Sequence, residues 1–147
     1  MNTQPLPYTI SLKNAKEIQM KGLTRVQIVI EEVGEFCYGV AIFAPGEYVP
    51  PHFHKKGEII TVDHASDGPG FVWLNGVYHR ADPGTSTYIP GGEENTHAWC
   101  AGEKGFIMHF TYPDTAERTG RYLVERDDFQ RISPQQEGTV PVLNTEH

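Results

Sequence analysis

Two histidines one residue apart, His52 and His54, close the run Gly46–His54, and Glu58 follows four residues later in GEYVPPHFHKKGE. Side chains two apart on a β-strand share a face, so His52 and His54 point one way and Phe53 the other. Glu58 keeps that parity across an intervening turn. Two imidazoles and a carboxylate converging from one edge can fill three positions around a divalent metal. A second segment, Gly84–His97 (GTSTYIPGGEENTH), runs from a glycine through a five-residue strand to Pro90-Gly91-Gly92. That turn is tight enough to reverse the chain and deliver His97 on the next strand.

The pattern Gly46-x5-His52-x-His54-x3-Glu58 resembles the first motif of the cupin superfamily, and Gly84 to His97 resembles its second. The resemblance covers residues 36–112. It implies an all-β fold, a double-stranded β-helix (jelly-roll) barrel of the RmlC-like kind forming a single cupin domain. Residues 1–35 would supply N-terminal strands and an arm, 36–112 the barrel with its metal site, and 113–147 a C-terminal extension. It also implies one divalent transition metal per chain, held by His52, His54, Glu58 and His97. Two departures lengthen turns: Gly68 comes late after Glu58, and four residues rather than two separate Gly92 from His97. Both leave the ligand parity intact.

Three imidazoles and a carboxylate suit Fe(II) first, with Zn(II), Mn(II), Ni(II) or Cu(II) as alternatives, and no thiolate biases the choice. Four protein ligands leave room for water, substrate or O2, and an open position marks a catalytic metal. Glu58 and His109 are the candidate catalytic groups. His109 shares the smaller face of its strand with Ile107 and Thr111; that face could line the metal chamber and carry a proton near neutral pH, and a satisfied core histidine is the plainer reading. Tyr48 shares parity with His52, Trp99 shares parity with His97, and His64 sits in the lengthened loop; all three are candidate walls of a substrate pocket. Ordinary barrel packing explains Tyr48 and Trp99 equally well. His79 and His147 read as exposed.

These residues need strands to hold them. Arg25–Glu32 alternates Val26, Ile28 and Ile30 with more polar neighbours, as a strand with one buried face does. Phe36–Phe43 is rich in aromatic and β-branched residues. Further strands are expected near 48–54, 58–63, 71–74, 77–81, 86–89, 96–101 and 105–112. Asn75-Gly76 makes the clearest two-residue hairpin turn. Residues 114–131 are charged and could carry a short helix.

The chain of 147 residues suits one domain, and Gly 15 and Pro 11, spread along it, favour short strands joined by many turns. Twelve basic against 19 acidic residues, a net charge of −7, disfavour nucleic acid and anionic membrane as partners. The polar N-terminus does not read as a signal peptide, and Cys37 and Cys100 read as buried thiols, so a cytoplasmic protein is expected. A homodimer is expected too, because the strand edge near 25–32 needs cover.

Three functions remain open, and the first is favoured because the ligand set is all imidazole and carboxylate. The first is a non-heme dioxygenase of a small carbonyl or enol compound. The second is a redox-neutral metal-dependent cyclase, isomerase or lyase. The third is a small-molecule binding or sensing protein that keeps the metal. The complete ligand set weighs against the third.

Overall fold

Short runs of β-branched and aromatic residues, cut by Gly, Pro and Asn-Gly, leave the backbone little choice but extended strands. The computed structural model describes residues 9–18, 25–33, 36–113 and 121–143. Its strands are β1 (Lys16–Ile18), β2 (Arg25–Val33), β3 (Phe36–Phe43), β4 (Tyr48–Phe53), β5 (Glu58–Val62) and β6 (Gly70–Leu74). They continue with β7 (Val77–Ala81), β8 (Ser86–Ile89), β9 (His97–Ala101), β10 (Phe106–Tyr112) and β11 (Tyr122–Leu123). Each strand expected from sequence is present to within about two residues, inside the ordinary error of boundaries. The short β1 and β11 were not foreseen.

One sheet has the order β1-β2-β3-β10-β5-β8 and the other β11-β4-β9-β6-β7. Every pairing between named strands is antiparallel. From β3 to β11 the strands alternate between the sheets, apart from the β6–β7 hairpin, which is the winding of a double-stranded β-helix. Val26, Phe43, Ile60, Val62, Val72, Trp99 and Phe106 are buried in the core between them. Each such side chain contributes about 1.5–3 kcal/mol when taken out of water. At the β6–β7 hairpin Asn75 and Gly76 have φ 44° and 101°, the positive angles a two-residue turn demands.

Strand β4 carries a bulge. Val49 lies opposite Trp99, but His52 lies opposite His97, so β4 spends one residue more than β9 over this interval. The extra residue falls at Pro50-Pro51, where proline cannot complete a ladder in any case.

The C-terminal part differs from expectation. Residues 114–120 lie outside the described residues, and the remainder of 114–131 holds β11 rather than a helix. The helix in this region is a single turn at Pro134–Glu137 (α1), opened by a capping box between Ser133 and Gln136. Phe129, Ile132 and Val140 pack over Phe71 and Cys100 on the outer side of the second sheet. Cys37 and Cys100 are both buried thiols. Among the described residues no helix is long and apolar enough to cross a membrane.

Candidate metal centre

Glu58 opens β5, His97 opens β9, and His52 lies near the end of β4 with His54 just beyond it. His52, His54, Glu58 and His97 are all buried, and one ligand atom from each falls within 4.8 Å of all the others. The bulge at Pro50-Pro51 makes this possible: it turns His52 and His54 to the inside, although Val49 is inside as well. The turn before His97 is tied to the same place. The Gly92 N–H donates to His54 O at 2.8 Å, and a side chain at Gly91 would strike the Lys55 backbone.

Hydrogen bonds orient the imidazoles as metal ligands are usually oriented. His52 Nδ1 lies 2.7 Å from Pro50 O, and His97 Nδ1 lies 2.8 Å from Asn95 O. A carbonyl only accepts, so both Nδ1 atoms carry the hydrogen, and in a neutral ring this leaves the lone pair on Nε2. His97 Nε2 then stands 2.7 Å from Glu58 Oε1. Two lone pairs at that distance repel unless a cation, proton or metal, joins them. His54 Nε2 is 3.0 Å from Glu58 Oε2 but out of line for a hydrogen bond, and neither of its ring nitrogens has a partner. Buried polar atoms seldom stay unsatisfied. The donor set therefore fits a divalent cation.

The ionisation states agree. Burial, and then the neighbouring His97, pushes His52 well below the usual imidazole value, so it stays neutral as a ligand must. Burial alone would raise Glu58, but its contacts with His54 and His97 outweigh this and hold the carboxyl well below the usual range. It is an anion.

Three candidates from sequence are not brought to this cluster. Tyr48 was expected beside His52 from their parity, but the bulge inverts the strand between them. Tyr48 packs outside against Phe129, rings 5.9 Å apart, with Arg131 over its face. His64 is 91% exposed beside Asp63, past the far end of β5 from Glu58. His109 faces outward. The larger apolar face of β10, Phe106 and Met108, fills the core, which leaves the smaller face for the surface. There His109 is 28% exposed, with Nδ1 2.7 Å from the Tyr38 hydroxyl and Nε2 2.7 Å from Asp63 Oδ2. Trp99 does point inward, but it packs within the core near Phe106, its indole N–H buried without a partner.

Two residues join the cluster unforeseen. Tyr112, at the end of β10, is buried with its ring centre 4.9 Å from that of His54. Burial, then its bond to Cys37 and the charge of Glu58, pushes its phenol far up, so the proton stays on Oη at neutral pH. Its place on the bulky face of β10 was visible in the sequence. Arg121, next to β11, is half-buried, and its Nε is shut off from solvent with no hydrogen-bond partner. Burial lowers its pKa, while Tyr112 and Glu58 nearby oppose that. No periodicity or motif in the sequence pointed to it.

Two antiparallel sheets wound as a double-stranded β-helix around such a quartet give the chain the fold of the RmlC-like cupins. The solved polyketide cyclase RemF from Streptomyces resistomycificus has a TM-score of 0.64 at 20% identity, covering 92% of this chain and 95% of that one. An RmlC-like cupin from Shewanella frigidimarina NCIMB 400 has a TM-score of 0.61 at 18% identity, covering 76% and 96%. In sequence, the dimethylsulfoniopropionate lyase DddW of Ruegeria pomeroyi is 36% identical over 78 residues, 53% of this chain and 47% of that protein. The chain thus spans about half the length of that relative. No family model matches the chain.

Proposed function

We propose that the chain is a metal-dependent enzyme of redox-neutral type, a lyase or cyclase acting on a small carbonyl-bearing molecule. The observation that carries this is the buried quartet His52, His54, Glu58 and His97, with a protonated phenol, Tyr112, against its edge. The sequence likeness to a lyase supports the class. A divalent ion held by the quartet would act as a Lewis acid on a substrate oxygen and make a neighbouring C–H easier to ionise. Fe(II), Zn(II), Mn(II), Ni(II) and Cu(II) all suit three imidazoles and a carboxylate.

The protein's own part is position and protons. Pro50 O and Asn95 O fix the two rings, and the apolar barrel keeps water away from them. Tyr112 Oη holds a proton that it can donate to a developing oxyanion or leaving group. His109, on the outer face, takes no part. A dioxygenase is the second reading, and it is favoured by one feature: the ligand set is all imidazole and carboxylate, which suits Fe(II).

Loading the protein with Zn(II) or with Fe(II) separates the two. A panel of small carbonyl compounds, neutral and ionised and including dimethylsulfoniopropionate, is assayed with and without oxygen. The lyase or cyclase reading expects equal turnover in both atmospheres and activity with Zn(II), which has no accessible second oxidation state. Turnover that needs oxygen and vanishes with Zn(II) establishes the dioxygenase instead.

A further inference from the structure

The strand paired to the quartet's edge brings a positive charge that the quartet does not use. Arg121 directly precedes β11, whose residues Tyr122 and Leu123 pair with Phe53 and His52. Continuing that register by one residue sets Arg121 opposite His54. Directly opposed residues of an antiparallel pair share a face, so in this register Arg121 turns to the same side as His54. Yet no carboxylate among the described residues lies within ion-pair or hydrogen-bond distance of it, and its Nε is buried and unpaired.

Arg121 is half-buried, and a buried N–H such as its Nε, left without a partner, costs free energy, so such groups are normally paired. Glu58 does not supply the partner: its Oε1 meets His97 Nε2 and its Oε2 faces His54 Nε2 at 3.0 Å. A divalent ion in the quartet would sharpen the imbalance: a doubly charged cation and a guanidinium would face a single carboxylate. An arginine fork matches a carboxylate by two parallel N–H···O bonds.

We propose that Arg121 is the anchor for a carboxylate group of the substrate, so that the chamber selects small organic anions over neutral carbonyl compounds. This rests on the metal-dependent reading above and adds the charge and chemical class of the molecule taken. The C-terminal segment then has a role beyond cover: through β11 it carries the anion-binding residue to the site.

The test uses propionate as the probe and propionamide, its neutral isostere, as the control, on metal-loaded and metal-free protein. Metal content of every variant is measured first, which keeps failure of the metal reading separate. In ¹⁵N-labelled protein, the Arg121 Nε–H resonance, assigned by its loss in Arg121→Met, should shift with propionate and not with propionamide. In calorimetry, Arg121→Met should weaken propionate binding about 10- to 100-fold, as removal of one charged hydrogen-bonded pair does, with Arg121→Lys in between. Metal content should be unchanged in both variants.

Equal propionate affinity in wild type and Arg121→Met, at full metal content, overturns the proposal and leaves the metal site standing. An Nε–H resonance unmoved by propionate in metal-free and metal-loaded protein also overturns it, as does loss of metal in Arg121→Met, which makes Arg121 a structural support. Should the wild type take up no metal, the function above falls, and the shift in metal-free protein still decides for or against the anchor.

Discussion

Among the described residues a histidine meets a carboxylate at 2.7 Å in two places, one inside the barrel and one on its outer face, and only the inner one leaves imidazole nitrogens unsatisfied around it. On the outer face of the first sheet, His109 bridges Tyr38 and Asp63. Both its ring nitrogens are satisfied, and water reaches all three residues. Asp63 is held below its usual range chiefly by the Ala65 N–H and then by His109, an ordinary surface arrangement. Inside, His97 and Glu58 make the same contact with two further imidazoles crowding it, one with no partner at all. What separates a binding site from a surface network here is the number of lone pairs left over after every protein hydrogen bond is counted. Distance alone does not reveal it.

The sharpest way to break this contrast is to remove one inner imidazole. His97→Ala should lower affinity for the metal by more than about 100-fold. Glu58→Gln should cost less, since water most readily replaces a single carboxylate oxygen. Elemental analysis of protein purified without added metal checks both, and full occupancy in a His52→Ala, His54→Ala double variant would remove the site from consideration.

Next in size is Tyr112→Phe. If the phenol gives up its proton during turnover, kcat should fall by about 100-fold while metal content stays level. Unchanged kcat would leave Tyr112 as a packing residue.

Acid should distinguish the regions without mutation. The His52 pKa is depressed in the fold, so between the ordinary imidazole value near 6.5 and the lower folded one the unfolded chain binds a proton the native chain refuses. Metal-free protein therefore has this contribution in full above about pH 6.5 and loses up to about 1.4 kcal/mol per pH unit below it. Thermal melts in chelator from pH 8 to 5 should show the slope, and His52→Leu should flatten it. A slope identical in His52→Leu would assign the acid sensitivity elsewhere.

The smallest effect belongs outside. His109→Ala should leave metal content and kcat unaltered and lower stability by about 1 kcal/mol, the scale of a half-exposed hydrogen-bond pair. Loss of activity in this variant, with metal retained, would return His109 to the catalytic machinery.

Much of this was legible in the chain before folding. Alternation and turn residues located the main strands, and the two motif segments named the four side chains of the buried cluster. Tyr48 was misplaced because strand parity predicts a face only while the ladder stays in register. Tyr48 and His52 obey the same count on paper and face opposite ways because Pro50-Pro51 adds a residue. For His109 the periodicity was right, but the bulkier face won the interior, which also placed Tyr112 there. Arg121 was illegible because its position depends on a strand of only two residues, held by an edge rather than by any pattern of its own.

The double proline in β4 also bears on how such a strand can change. Substitutions at either position leave the reading frame of the faces intact. Deletion of one residue there would turn His52, His54 and every following side chain of the strand inside out while scarcely altering composition. The proposed chemistry would be erased by a change that leaves the hydrophobic content of the barrel nearly the same. Length, rather than residue identity, is what this short stretch must conserve to keep a metal site.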